Sequence, residues 1–399
     1  MSVTGQSLLA IALCLLALVG HLALWVGVFG RMHALGLRRL TVDVLNFLLL
    51  LPLLCVPAVA LVWLIHPPPD SSWTEIARSS GRIYLWTCAG MGILVGIDWS
   101  QRRFRRPPAQ FLQCQHTVVD VAQHLAELPC AGLWTRTWAR VPGNEILQLE
   151  VNEKTLVVPR LSPALDGLTI AHFSDLHWCG NLTPPFFEFA VAQVNAWDPD
   201  LVAITGDLMD DEVCLPWIGA ILGRVVSRCG TFCVRGNHDR DLRVDALILR
   251  HLTDAGLQPL GGQTHRLQVR GQSLLLAGNE CPWFGPAPAL CGDSAAERDP
   301  GELRILLSHS PDQIEWARAH DFDLMLAGHT HGGQIRLPLI GPIVANSLYG
   351  VKYAGGVFYV RPTLLHVSRG LSEREPFRWN CRPELSRLVL RCGDHARTG

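Results

Sequence analysis

Seven side chains of metal-binding type recur between residues 175 and 331 of the 399-residue chain: Asp175, His177, Asp207, Asn237, His309, His329 and His331. Each follows a short apolar run closely, so five of six such runs end in a residue fit to hold a cation. One polar loop with an Asp or an Asn is ordinary turn chemistry. Five imply a common site. Asp207 offers two carboxylate oxygens and can bridge two ions. Imidazole with carboxylate suits manganese, and also iron or zinc, better than the all-oxygen shell that magnesium prefers. Asp175-Leu-His177 and His329-Thr-His331 put alternate side chains on one side of an extended segment, which lets both members of each pair enter one pocket. Gly206, Gly236, Gly328, Gly332 and Gly333 beside these residues permit sharp turns and leave space for a phosphate.

The runs that must position these residues are Leu168–Ser174, Leu201–Thr205, Thr231–Val234, Leu274–Ala277, Ile305–Ser308 and Leu324–Ala327. All are short and apolar on both faces, as strands in the middle of a helix-covered sheet are. The fold class is therefore α/β, with the site at strand ends.

The N-terminal hundred residues have a different composition. Apolar stretches near Leu8–Phe29 and Val44–Ile65 are each long enough to cross a membrane, and a shorter one near Ile83–Ile97, interrupted by Gly90, Gly92 and Gly96, reads as a third crossing with Tyr84, Trp86 and Trp99 at its margins. Arginines at 31, 38 and 39 and at 102, 103, 105 and 106 outweigh Arg78 and Arg82. The excess on those sides predicts a multi-pass protein of the inner (cytoplasmic) membrane with its catalytic part in the cytoplasm. Three parts are expected: an anchor over 1–100, a basic and amphipathic linker over 101–145 in which Trp134 and Trp138 could lie on a membrane surface, and a catalytic domain over 146–399. A net charge of -1 and a pI near 7.0 give no reason to expect a nucleic-acid partner. The thirteen cysteines have no zinc-type spacing and read as apolar side chains.

Taken together, D-L-H, G-D-L-M-D, G-N-H-D, S-H and G-H-T-H-G-G resemble the calcineurin-like metallophosphoesterase superfamily over about residues 160–390. The stretches V-P-R-L-S-P-A-L-D-G-L-T-I, Y-G-V-K-Y and V-S-R-G-L are similar to its bacterial membrane-associated branch. The resemblance implies two mixed β-sheets sandwiched by helices in four layers, preceded here by the transmembrane helices. It implies one ion on Asp175, His177, Asp207 and His331 and a second on Asp207, Asn237, His309 and His329, with a water activated between them. It also makes His238 the general acid and Asp210 its partner. Arg369 is a candidate substrate-phosphate contact, equally readable as a structural ion pair. His172, His251, His265, His320 and His366 read as structural. The loop Asn279–Cys291 reads as a rim of the substrate pocket, with no single residue chosen. The expected activity is hydrolysis of a phosphomonoester, phosphodiester or pyrophosphate on a small molecule, a lipid or a nucleotide-linked lipid. A metal-stabilised scaffold or sensor that binds phosphate without turnover is the alternative, and intact His238 and Asp210 argue against it.

Overall fold

In a computed structural model of the chain, residues 3–66, 68–242, 244–290, 298–299 and 301–393 are described. They form two compact units, up to Arg106 and from Pro107 onward.

The first unit is three helices: α1 (Val3–His33), α2 (Arg39–Ile65) and α3 (Ser72–Arg103). All three are long and apolar enough to cross a membrane, with mean hydropathies of 2.5, 2.5 and 1.2. The glycine-interrupted third stretch is one continuous 32-residue helix, started by a capping box at Ser71 and Thr74. Helices α1 and α3 meet through small residues: a Cβ on Gly20 would lie 1.7 Å from the Cys88 carbonyl oxygen, and one on Gly92 2.3 Å from that of Leu16. Such close approach gains dispersion contacts where water cannot drive association. His21 adds a polar tie, with Nδ1 2.8 Å from the Tyr84 hydroxyl and Nε2 3.0 Å from the Leu53 carbonyl oxygen. Most other large apolar side chains of these helices face outward, as lipid-facing ones do.

The second unit is built on two sheets. The strands are β1 (Phe111–Asp120), β2 (Gln148–Val158), β3 (Thr169–Phe173), β4 (Leu201–Thr205), β5 (Thr231–Val234), β6 (Gln258–Pro259), β7 (Thr264–Val269), β8 (Gln272–Asn279), β9 (Leu303–Ser308), β10 (Leu324–Ala327), β11 (Arg336–Leu337), β12 (Gly341–Pro342), β13 (Gly356–Val360), β14 (Thr363–Val367) and β15 (Glu384–Cys392). One sheet runs β1-β2-β15-β3-β4-β5-β6 and the other β13-β14-β10-β9-β8-β7, while β11 and β12 form a small ribbon. The central pairs β3/β4, β4/β5, β8/β9, β9/β10 and β10/β14 are parallel; β1/β2, β15/β3, β7/β8 and β13/β14 are antiparallel.

Strand alternation decides what each face buries. Ile170, Leu201, Ala203 and Phe232 from one sheet meet Leu276, Ile305, Leu324 and Leu364 from the other in a shared core. Their neighbours Ala171, Phe173, Val202 and Ile204 turn the opposite way, onto α6 (Pro184–Ala196), α7 (Leu215–Ile221) and α9 (Asp245–Asp254), through Phe186, Ile218 and Leu252. Met325, Leu306 and Leu365 likewise meet Ile314 and Ala317 of α10 (Ile314–Ala319). Each Val, Leu, Ile, Met or Phe among them contributes about 1.5–3 kcal/mol by leaving water. Two mixed sheets with helices outside give the four layers that the resemblance implies.

The stretch expected as a linker differs from that reading. Within 101–145, β1 pairs with β2 and so extends the first sheet, followed by α4 (Val121–Leu125) and α5 (Leu133–Trp138). Most of β1 is solvent-exposed, so it lacks the apolar run that marks a central strand.

Candidate metal centre

The continuous apolar strands end where polar loops begin, and parallel register sets those ends side by side. The loop after β3 carries Asp175 and His177, and that after β4 carries Asp207 and Asp210. After β5, the five-residue helix α8 (Asn237–Asp241) opens with Asn237 and His238. His309 follows β9, while His329 and His331 follow β10. Backbone hydrogen bonds lock the first two loops together: the Asp175 and His177 amides donate to the Gly206 and Asp207 carbonyls at 2.9 and 3.0 Å.

These residues meet in two adjoining groups. Asp175, His177 and His331 have ligand atoms within 4.8 Å of one another, as do Asp207, His309 and His329. Asp207 joins the groups, with Oδ2 3.1 Å from His309 Nε2 and 3.5 Å from His177 Nε2. Asn237 Oδ1 is 3.2 Å from His309 Nε2, and Asp175 Oδ1 is 3.5 Å from His331 Nε2. Pairs of imidazole nitrogens face each other at 3.1 Å, His177 Nε2 with His331 Nε2 and His309 Nε2 with His329 Nδ1. Nitrogens bound at ~2.1 Å to one ion and about 90–110° apart would be ~3.0–3.4 Å from each other, so both pairs fit a shared cation. The donor set, mixed nitrogen and carboxylate oxygen, suits a divalent transition metal.

Backbone conformation supports the same reading. Asp175, His177, Asp207, His329 and His331 all have φ between 43° and 70°, a left-handed region that costs a non-glycine residue energy and persists where the surroundings impose it. The neighbouring glycines leave the room required: a Cβ on Gly206 would sit 2.4 Å from His309 Nδ1, on Gly236 2.1 Å from Asp207 Oδ1, and on Gly328 2.5 Å from Asp175 Oδ2.

Asp210 lies behind the two groups and accepts from two imidazoles, His177 Nδ1 at 2.9 Å and His238 Nδ1 at a closer contact. Burial opposes its charge, but the two histidines outweigh burial and hold the carboxyl well below its usual range. Burial likewise disfavours a charged His238, yet Asp207 and Asp210 raise it to about 10. His309 is raised to about 9 by Asp207 against the same desolvation. Burial, then the charges of His177 and Arg378, holds His331 well below its usual value.

Some contributors carry no mark in the ligand pattern. Asp239 is fully buried and accepts from the amides of Leu208, Met209 and Gly236 at 3.0, 3.2 and 2.8 Å, bracing the loop after β4 against α8. The signal was its place as last residue of G-N-H-D, where a carboxylate caps a helix start. Trp283, in the proline-rich loop, packs edge-on against His309 and His329 with ring centroids 5.3 and 4.8 Å away. Cys291 of that loop lies outside the described residues. Arg369 is taken up by ion pairs: Nη2 is 2.7 Å from Glu150 and Nε 3.1 Å from Glu384. His172 and His366, read as isolated, touch each other at 2.7 Å between their Nδ1 atoms, and His172 Nε2 meets the Thr205 hydroxyl.

The calcineurin-like phosphoesterase family model matches residues 168–333, which span strands β3 to β10 and all seven residues above. Phosphodiesterase YaeI of Escherichia coli is 31% identical over 228 residues, 55% of this chain and 81% of that protein. A transmembrane protein with metallophosphoesterase domain from Bos taurus is 31% identical over 291 residues, 68% and 64% of the two chains. UDP-2,3-diacylglucosamine pyrophosphatase LpxG of Chlamydia trachomatis is 25% identical over 329 residues, 69% and 98%. With this sequence match on strand-end loops that bring two groups of metal-ligand type together, the chain belongs to the calcineurin-like phosphoesterase family of metal-dependent phosphoric ester hydrolases.

Proposed function

We propose that this protein is a membrane-anchored phosphoesterase whose reaction depends on two divalent ions, manganese first among them with iron or zinc as alternatives. One is held by Asp175, His177, Asp207 and His331 and the other by Asp207, Asn237, His309 and His329. The observation that carries the reading is Asp207 Oδ2, within 3.5 Å of an imidazole nitrogen from each group. Bound there, two cations supply an easily deprotonated water and neutralise charge growing on the phosphoryl oxygens. The chain contributes the rest. Asp210 accepts at Nδ1 of both His177 and His238, fixing both tautomers. His177 thereby turns Nε2 into the pocket. His238, about a quarter exposed, donates at Nδ1 to Asp210 and offers an Nε2 proton to the leaving oxygen as general acid.

The bond attacked is a phosphomonoester, phosphodiester or pyrophosphate. The relatives support the latter two, since one is named a phosphodiesterase and another a pyrophosphatase of a diacylated, nucleotide-linked sugar. Three apolar helices in the same chain favour a phosphorylated lipid or nucleotide-linked lipid as substrate. The arginines after the first and third helices favour a multi-pass protein of the inner membrane with the site in the cytoplasm.

The test is turnover of para-nitrophenyl phosphate and its bis-ester by manganese-loaded full-length protein in detergent. Wild type is expected to turn over at least one of them. Asp207→Ala is expected to lose measurable activity, and His238→Ala to fall about 10²–10⁴-fold. Equal inactivity of all three proteins under every metal would sink the hydrolytic reading in favour of a phosphate-binding scaffold.

A further inference from the structure

The β11–β12 ribbon, which follows directly on the His329–His331 loop, is built against the usual rules for a hairpin tip. Turn positions in water favour Asn, Asp and Gly, whereas this tip reads Pro338-Leu339-Ile340. Leu339 takes a left-handed φ of 66°, a strained conformation for a leucine, and its side chain is 77% exposed. Ile335, Ile340 and Ile343 are also exposed around it. The ribbon is firmly held. Gly333 lies so close to Pro342 that a Cβ there would come within 2.4 Å, and the Arg336 amide donates to the Trp379 carbonyl at 2.9 Å.

A second apolar projection is tied to the first through residues 375–379. The Gln334 side chain donates to the Glu375 and Phe377 carbonyls, and the Phe377 ring meets Trp138 of α5 at 5.3 Å. On α5, Leu133 and Trp134 are exposed, with Arg136 and Arg140 exposed beside them. Charge is equally one-sided along the ribbon and its flanks: no Asp or Glu occurs between Asp323 and Glu373, while Arg336 and Lys352 do. Leucine, isoleucine and tryptophan at the tips, with basic residues next to them, match a bilayer with anionic headgroups.

We infer that the Leu339–Ile340 tip and the Leu133–Trp134 face of α5 form a bilayer-inserting lip beside the metal centre, whose occupant is the lipid surface itself. The lip holds a headgroup-level substrate next to His331. It goes beyond hydrolysis, and its test does not depend on turnover.

Photoreactive para-benzoylphenylalanine is placed at Leu339, at Trp134 or at Val226 of the full chain, in membranes containing phosphatidylglycerol. Val226 is exposed and precedes β5 at the end of the sheet opposite the metal loops. After irradiation, mass spectrometry is expected to find phospholipid adducts at Leu339 and Trp134 in several-fold excess over Val226. Melting curves matching the unmodified chain establish that each variant folds, and Ile340 replaces Leu339 as the labelled site if it does not. Adducts to another protein at the tip, an absence of lipid adducts, or equal labelling at Val226 would overturn the inference.

Discussion

A single carboxylate, Asp210, accepts from His177 on the metal side and from His238 on the solvent side. An amide in its place has one acceptor oxygen, so Asp210→Asn can satisfy only one of the two imidazoles. We expect kcat to fall ~10²–10³-fold while metal content, read by elemental analysis of the purified variant, falls much less. Undiminished kcat would remove Asp210 from the dyad. A different expectation attaches to His172, buried beside His366 and held down to about 3 by desolvation, against Glu384, which favours its charge, and with Lys154 opposing it. Its folded value lies below the unfolded ~6.5. The unfolded chain therefore takes up a proton that the folded chain refuses, so stability from this residue is complete above about pH 6.5 and drains away towards pH 3. Melting temperatures with chelator present should decline less steeply between pH 6.5 and 4 for His172→Gln than for wild type. Parallel curves would rule the residue out. His238 and Asp210 were named through the family resemblance that G-N-H-D and G-D-L-M-D carry. Trp283 was not legible, since a Trp that packs looks the same in sequence wherever it occurs, and the one mark on Asp239 was its place at the end of G-N-H-D.

At the level of strands and loops, the readable part was the part with uniform burial. β3, β4, β5, β9 and β10 are largely apolar on both faces, and the loops after them carry the candidate ligands, so the fold and the candidate site were read together. β2 and β15 broke the pattern because they bury Asn152, Lys154, Glu384 and Ser386, joined to one another and to His366 by hydrogen bonds and an ion pair. Polar residues inside a sheet sandwich are invisible to a rule that expects apolar ones there, and only a partner far along the chain makes them tolerable. Loop glycines allow a sharper test. Gly236 has an ordinary backbone but no room, so Gly236→Ala should displace Asp207 and weaken metal binding at least roughly tenfold by titration. Gly180 has φ of 78° with nothing within 4 Å of an added Cβ. Gly180→Ala should cost only backbone strain, about 1–2 kcal/mol by denaturant unfolding, with metal affinity unchanged. Equal effects on affinity would mean that the crowding around Asp207 is not what these glycines relieve.

For the molecule as a whole, folding and ion binding should be linked. An ion present at a hundred times its Kd adds about 2.7 kcal/mol to the state that binds it. Chelation is accordingly expected to lower the melting temperature of the unit from Pro107 onward within the full chain, and Asp207→Ala should melt alike with and without chelator. A wild type indifferent to chelator would contradict the seven-ligand centre. The helical unit was legible from hydropathy, but its internal fit was not: that α1 and α3 meet at Gly20 and Gly92 depends on which face each turns to the other. The close approach at Gly92 makes that residue a lever. Alanine there introduces a wedge one carbon wide between two backbones, far in sequence from every ligand and every apolar tip. It is expected to prise the three helices apart while leaving turnover of a soluble phosphoester unchanged, and a fall in that turnover would mean that the shape of the helical unit matters to the site.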